Sequence, residues 1–178
     1  MADSVNVSTI IDGPRKAVFY LTNISDSTGE SAVTKIDVSG LSTSADGDAC
    51  TGVRIESLSF STVGMGVQLL WNATANRLAI ELPANYSDSF DFSAFSGLPN
   101  YSGSGKNGDV LLTTVGAGSG ETYTLTITFI KEYTDLKGLL NELLCTCKTN
   151  PQKFLKIWRK CGRSFIITLH SNITYWIK

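Results

Sequence analysis

A chain of 178 residues with 42% hydrophobic and 17% charged residues has the composition of a globular protein, which excludes an intrinsically disordered one. The N-terminus lacks the basic region and apolar run of a secretion signal, and no stretch reaches the roughly 20 apolar residues of a membrane span. The net charge of −1 conceals an asymmetry: residues 1–133 carry 7 Lys and Arg against 14 Asp and Glu, whereas residues 134–178 carry 8 against 2. The sequence therefore predicts a domain over residues 1–133 and a basic C-terminal extension over residues 134–178.

Short strands separated by polar turns fill the first 133 residues. Residues 63–71 and 78–82 flank a polar break and predict an antiparallel hairpin. The apolar positions of residues 53–61 change parity, which predicts a bulge near Ser57. In residues 122–129 apolar side chains alternate strictly with threonines, as in a strand with one buried face. The remaining predicted strands are residues 5–10, 17–21, 32–38 and 110–115.

These segments amount to about eight strands, and none of them has a helical period. Chains of this kind fold as two packed sheets or as a closed barrel. We therefore predict an all-β domain, an antiparallel sandwich or a jelly-roll-like barrel.

The C-terminal extension is predicted to be a small, basic α-helical or mixed unit. A Thr-Asp cap at residues 134–135 precedes leucines at helical spacing, and a second helix runs between Asn150 and Gly162. Residues 164–170 and 173–177 are candidates for two short strands that pair as a hairpin.

The second predicted helix is a basic amphipath. Trp158 falls on its apolar side, and Arg159 and Lys160 fall on its charged side. These three are our candidate partner-binding residues. Packing of the helix against the β domain, contact with a membrane surface and contact with nucleic acid stay open as alternatives.

The sequence offers little catalytic machinery. The only histidine is His170, so a Ser–His or Cys–His centre in the β domain would have to borrow it from the extension. Asp26, Glu30, Asp88 and Asp91 fall in turns or at polar strand positions, where we expect solvated charges and not a facing glycosidase pair. We therefore predict that the chain is not an enzyme and has no catalytic residues.

Three further patterns are compared with known ligand sites. Asp46-Gly47-Asp48 supplies two oxygen ligands, fewer than calcium requires, and predicts an ordinary turn. The glycine-rich residues 103–108 lack the glycine spacing and the Ser or Thr of a phosphate-binding loop. No cofactor is predicted. Four residues of the extension match the number of ligands in a structural zinc site: Cys145, Cys147, Cys161 and His170. The alternative is that the three cysteines serve as small apolar residues.

Four segments of the β domain carry a family resemblance: residues 22–38, 50–55, 64–74 and 108–123. They resemble small β-rich virion structural proteins of marine tailed bacteriophages, the cyanophages included, and the match runs from about residue 3 to residue 133. Members of that family generally end near the position of Tyr133, so the extension has no counterpart in them. Two explanations stay open: an acquired anchoring module, or translation past an ancestral stop or into another reading frame.

The resemblance implies a non-enzymatic virion structural protein, and specifically a head decoration or cement protein. It implies location in the virion, homo-oligomers, contacts with the major capsid protein or other virion proteins, and no specific nucleic acid. The alternative is a receptor- or glycan-binding β module of a tail or head fibre. In that case Trp71, Tyr86 or Tyr101 would stack on sugars.

The break in composition at Tyr133 predicts that the β domain folds without the extension. A chain ending at Tyr133 is expected to keep a β-type circular dichroism spectrum and a cooperative thermal transition. A truncated chain with neither property would show that the boundary is misplaced.

Overall fold

A computed structural model describes residues 3–134; residues 1–2 and 135–178 are outside the description. The helices and short strands predicted for the extension therefore lie outside the described residues. Within residues 3–134, no helix is long and apolar enough to cross a membrane.

Antiparallel strands dominate the described domain. They are β1 (Ser4–Asp12), β2 (Lys16–Asp26), β3 (Val33–Ile36), β4 (Cys50–Val63), β5 (Gly66–Trp71), β6 (Arg77–Leu82), β7 (Ser87–Asp91), β8 (Val110–Val115) and β9 (Ser119–Tyr133). Two single-turn 3-10 helices, Val38–Gly40 and Ser93–Phe95, interrupt the connections.

The strands form a five-stranded sheet, in the order β1-β2-β9-β4-β7, and a four-stranded sheet, in the order β3-β8-β5-β6. Pairing is nested, because β2 pairs with β9, β3 with β8, β4 with β7 and β5 with β6. A long hairpin that rolls up into two facing sheets gives this pattern, which is the winding of a jelly roll. The predicted all-β sandwich is confirmed, and the strand order specifies its jelly-roll form.

The core lies between the inner faces of the two sheets. The alternation predicted for β9 is confirmed, since Tyr123, Leu125, Ile127 and Phe129 are at most 1% exposed while the threonines between them face outward. Strand β9 pairs with β2 on one side and with β4 on the other, so its inner row runs through the middle of the core.

Two local predictions are confirmed in register. The β5–β6 hairpin forms as expected. The pairing of β4 with β9 shifts between Ile55 and Ser57, which is the predicted bulge, and it returns Leu58 to the buried face.

Other strand boundaries were wrong. Residues 63–71 are not one strand, because Val63 ends β4, and β5 starts at Gly66 after a turn in which Gly64 has φ +81°. The N–H of Gly64 donates to Asn85 Oδ1 at 2.7 Å, and this bond fixes the turn. Strand β7 was missed because its sequence is polar, and it lies at a sheet edge with β4 as its partner.

Candidate functional site

The acids considered as a glycosidase pair do not face one another. Asp26 ends β2, whereas Asp88 and Asp91 are on β7, and the intervening β9 and β4 put about 14 Å between those strands. Hydrogen bonds from the hydroxyl and N–H of Thr28 lower the pKa of Asp26 to about 2, so it is an ionised turn residue. Asp26 and the β7 acids are thus too far apart for glycoside hydrolysis.

Glu30 departs from the sequence prediction, because it is buried and not solvated. It belongs to a group that we call the polar cluster: Asn23, Glu30, Lys35 and Tyr123. They are 1%, 7%, 8% and 1% exposed, respectively. Ionisable groups are rarely buried to this extent unless they are paired. The polar cluster is therefore the most unusual group of side chains among the described residues.

Local backbone structure brings the polar cluster together. Asn23 on β2 and Tyr123 on β9 are direct cross-strand partners on the inner face. The pairing of β3 with β8 shifts around Lys35, and this irregularity lets Lys35 and Ile36, adjacent in sequence, both be buried. Two hydrogen bonds join the Glu30 backbone to Thr114: the N–H of Glu30 donates to Thr114 Oγ1 at 2.8 Å, and the N–H of Thr114 donates to the Glu30 carbonyl at 2.9 Å.

The Glu30 carboxylate is the centre of the polar cluster. Its Oε1 accepts from the Lys35 ammonium, and its Oε2 accepts from the Tyr123 hydroxyl at 2.6 Å and from Asn23 Nδ2 at 3.2 Å. The second N–H of Asn23 donates to Asp3 Oδ2 at 3.2 Å. Asn23 Oδ1 is buried and has no hydrogen-bond partner among the described residues. Burial and the adjacent Glu30 raise the pKa of Tyr123, so its hydroxyl stays a donor.

One signal in the sequence could have revealed the polar cluster. Along β2 the inward positions Ala17, Phe19 and Leu21 are followed at the same parity by Asn23, which is a polar side chain where a core residue is expected. A polar residue in such a position requires a buried partner. Glu30 could not be assigned as that partner, because it lies in an irregular connection.

A second ion pair, of which only the lysine is fully buried, lies at the other end of β9. The Lys131 ammonium, with its side chain fully buried, pairs with Asp12 and donates to Ser42 Oγ at 2.8 Å and to the Ser42 carbonyl at 3.1 Å. Burial alone would raise the pKa of Asp12, but hydrogen bonds from Lys131 and Ser42 hold it below its usual value. This pair ties the β1–β2 turn to the segment before β4.

Among residues 3–134, strand β1 is an open edge of the five-stranded sheet, because β2 is its only strand partner there. Residues 4–11 contain no charged residue, no proline and no glycine. Each of the other edge strands carries charge: Lys35 on β3, Arg77 and Glu81 on β6, and Asp88 and Asp91 on β7. The large apolar side chains of β1 are exposed: Val5 41%, Val7 40%, Ile10 60% and Ile11 52%.

The three aromatic residues predicted to bind sugar lie in different environments. Trp71 is 2% exposed and packs in the core, so its assignment as a stacking residue was wrong. Tyr86 is 51% exposed, but one side of it faces Phe60, with ring centroids 6.2 Å apart. Tyr101 is 70% exposed. Of the three, Tyr101 is the most available for stacking.

An open depression of about 420 Å³ lies close in sequence to Tyr101. Small polar residues line it together with one arginine: Thr74, Ala75, Asn76, Arg77, Gly103 and Ser104. The glycine-rich loop packs tightly here, since the N–H of Thr74 donates to the Ser104 carbonyl at 3.2 Å and Gly105 has φ +74°. A Cβ on Gly105 would come within 2.2 Å of Thr74 Oγ1. Gly105 thus allows the loop to approach Thr74 closely, and the loop leads into strand β8 and not into a helix.

The remaining candidate sites are placed as follows. Asp46-Gly47-Asp48 forms the expected turn, closed by a hydrogen bond from the Ser44 N–H to the Asp48 carbonyl at 2.9 Å. Within residues 3–134, no three His, Cys, Asp or Glu side chains converge as metal ligands would. The zinc candidates Cys145, Cys147, Cys161 and His170, and the partner-binding candidates Trp158, Arg159 and Lys160, lie outside the described residues.

Comparison with known proteins does not assign the chain to a family. No protein-family model matches it, and no curated protein matches it. What the chain does is therefore inferred from the geometry of its described residues and from the sequence resemblance.

The Asp12–Lys131 pair predicts a pH-dependent stability. The pKa of Asp12 in the folded state is below 3.8, so the stabilisation it contributes is complete above that pH and is lost as the pH falls further. Asp12→Asn leaves the Lys131 ammonium buried without its counter-charge. We expect this change to lower the free energy of unfolding by about 2–3 kcal/mol at pH 7, less than a fully buried pair would give because Asp12 is partly exposed. Urea unfolding of wild type and of Asp12→Asn at pH 7 and pH 3 measures the difference in their free energies of unfolding. This difference should be smaller at pH 3 than at pH 7.

The matched control is Asp88→Asn, on the exposed edge strand β7. It should change stability by about 0.5 kcal/mol or less. Equal losses in the two variants, or a loss from Asp12→Asn that is the same at both pH values, would contradict the assignment.

Proposed function

We propose that this chain is a non-enzymatic structural protein of a tailed-bacteriophage virion, and specifically a head decoration or cement protein. The observation that carries the proposal is strand β1, an edge strand of the sandwich whose residues 4–11 carry no charge and expose valine and isoleucine side chains. The sequence resemblance supplies the phage context. Jelly rolls are common among viral capsid and lectin domains, which is compatible with this proposal but is a likeness of fold alone.

The chemistry of β1 favours assembly because proteins usually protect their sheet edges. Edge strands of proteins that stay monomeric are kept short, charged or interrupted by proline. Strand β1 has nine residues, one register irregularity between Thr9 and Ile11, and its charged residue only at the end, Asp12. Its outer backbone groups have no strand partner within residues 3–134. These groups and the exposed valines and isoleucines are suited to pairing with another strand.

A second copy of the chain is the partner that β1 fits. Two β1 strands related by a two-fold axis at Ser8 pair antiparallel, which places Val7 opposite Thr9 of the other copy and Asp12 opposite its Ser4. No like charges then face each other. Such self-pairing continues the five-stranded sheet across two protomers, and it leaves the outer sheet faces free for the major capsid protein or other virion proteins.

A charge at the centre of β1 should therefore abolish self-association. Val7→Lys places two ammonium groups diagonally across the two-fold axis, within about 8 Å of each other. We expect the 19.2 kDa chain to sediment as a dimer or larger oligomer and the variant to associate about tenfold more weakly or not at all. Sedimentation equilibrium over a range of concentrations measures both.

Ser89→Lys, on the opposite edge strand β7, is the control and should leave association unchanged. A wild-type chain that stays monomeric at all concentrations tested would refute pairing through β1. So would a Val7→Lys variant that associates as tightly as wild type.

The role in the particle is tested by copy number. Quantitative mass spectrometry of purified virions should find the chain at hundreds of copies, because a decoration protein occupies many equivalent sites on the head. Absence from particles would refute the virion assignment, and a handful of copies would refute decoration.

The second candidate function is a receptor- or glycan-binding module of a tail or head fibre. The depression lined by hydroxyl, amide and guanidinium groups, with the exposed Tyr101 two residues before it, favours this alternative. It predicts a low copy number in particles and glycan binding that is lost in both Tyr101→Ala and Arg77→Ala.

A further inference from the structure

The geometry points to an autocatalytic modification site in the polar cluster: Lys35 Nζ condenses with the side-chain amide of Asn23, forming an isopeptide bond and releasing ammonia, with Glu30 carrying the protons. This inference is independent of the proposed virion role. It needs no partner, metal or cofactor, because both reacting groups and the proton carrier belong to the same sandwich.

The first support is the bridging position of Glu30. One of its oxygens contacts the nucleophile, Lys35 Nζ, and the other lies 3.2 Å from the leaving group, Asn23 Nδ2. A single carboxylate therefore touches both the atom that must lose protons and the atom that must gain one. General acid–base catalysis requires this kind of contact.

The second support is the dry and fixed environment. The side chains of Lys35 and Glu30 are 3% and 6% exposed, and Asn23 and Tyr123 are each 1% exposed. Excluded water cannot compete with the amine for the carboxamide. The Lys35 irregularity in β3, the Glu30–Thr114 backbone bonds and the Asn23–Tyr123 cross-strand pair hold the groups in place before any reaction. Such fixed proximity replaces a bimolecular encounter.

The third support is backbone strain in the connection that carries Glu30. Ser27 and Ala32 both have positive φ, at 91° and 48°, a conformation that is costly for residues with a Cβ. The unpartnered Asn23 Oδ1 adds a further cost, since a buried polar atom without a hydrogen bond is destabilising. A core that is only structural does not require strained backbone or an unpartnered amide oxygen. A reactive carboxamide, in contrast, must have an oxygen free to take up charge.

The proposed step balances without an external reagent. The Lys35 ammonium passes one proton to Glu30, and the freed lone pair on Nζ attacks Cγ of Asn23 while the C=O electron pair moves onto Oδ1, which the protonated Glu30 carboxyl stabilises. A second Nζ proton is relayed through Glu30 to Nδ2. The carbonyl reforms, the Cγ–Nδ2 bond breaks, and ammonia leaves with the remaining Glu30 proton as ammonium. One amide bond replaces another, and nothing is oxidised or reduced.

The leaving group has a route for its charge. Asn23 Nδ2 donates not only to Glu30 but also to Asp3, whose carboxylate is near the chain terminus and in turn accepts from the N–H of Asp26 at 2.8 Å. A second carboxylate beside the departing nitrogen favours release of ammonium. The product joins β2 to β3 across the two sheets and closes a covalent ring over residues 23–35.

Intact mass under denaturing conditions tests the inference on the full chain. Folded wild type should be lighter than its sequence mass by one ammonia, about 17 Da. Trypsin should fail to cleave after Lys35, so that residues 17–54 appear as one peptide lighter by the same amount, and fragmentation should give no backbone cleavage products separating Asn23 from Lys35. Wild type held in denaturant from synthesis onward should have the full sequence mass, because the reaction requires the fold.

Variants locate the chemistry. Lys35→Arg and Glu30→Gln should retain the full mass calculated for each variant. The control Lys16→Arg replaces an exposed lysine that pairs with Glu56, and it should still lose ammonia. If the two cluster variants fail to fold, the folded and denatured wild-type samples alone decide the question.

Two results would overturn the inference. The first is folded wild type at its full sequence mass, with residues 17–35 and 36–54 recovered as separate peptides. The second is a loss of ammonia that maps elsewhere, such as a succinimide at Asn107-Gly108.

Discussion

The inner row of β9 is the constraint on which the rest of the domain depends. Residues 123, 125, 127, 129 and 131 all face inward, so one strand carries a polar residue at each end of an apolar row. At one end Tyr123 donates to Glu30, which pairs with Lys35, and at the other end Lys131 pairs with Asp12. These ends are about 27 Å apart along the strand. An ion pair therefore lies at each end of the apolar row, and a shift of β9 by one residue would turn the whole inner row to the outer face of the sheet.

The unequal size of the two sheets has a separate consequence. Five strands face four, and the strand in excess is β1, which pairs with β2 through one edge and leaves the other edge open. The same imbalance exposes Val5 and Val7. Val5 pairs with Asn23 and Val7 with Leu21, so both would be core residues if the facing sheet had a strand opposite β1. Exposure of apolar residues on β1 thus follows from the topology, and the uncharged stretch over residues 4–11 distinguishes it from the other edges.

Periodicity in the sequence predicted the parts of the fold in which local pattern and burial agree. Strand β9 and the β5–β6 hairpin alternate cleanly, and the parity change in β4 located its bulge at Ser57. Strand β7 escaped because Ser87, Asp88 and Ser89 have low strand propensity and the strand forms by pairing with β4. The polar cluster escaped for another reason. Asn23 and Glu30 are seven residues apart, but Tyr123 is 93 residues from Glu30, and only the rolled-up hairpin brings them together.

The two ion pairs differ in their burial and in what surrounds them, and this difference bears on their chemistry. The ammonium of Lys131 is surrounded by Asp12 and by the hydroxyl and carbonyl of Ser42, and its partner carboxylate is 26% exposed. These neighbours can accept hydrogen bonds, but neither has a side-chain carboxamide whose nitrogen could leave when an amine attacks its carbon. The ammonium of Lys35 has an equivalent carboxylate, sealed from solvent, and that carboxylate also holds the carboxamide of Asn23. The domain thus contains two ion pairs that can be compared directly. Both stabilise the sandwich electrostatically, and only the pair beside Asn23 has the groups to form a covalent bond.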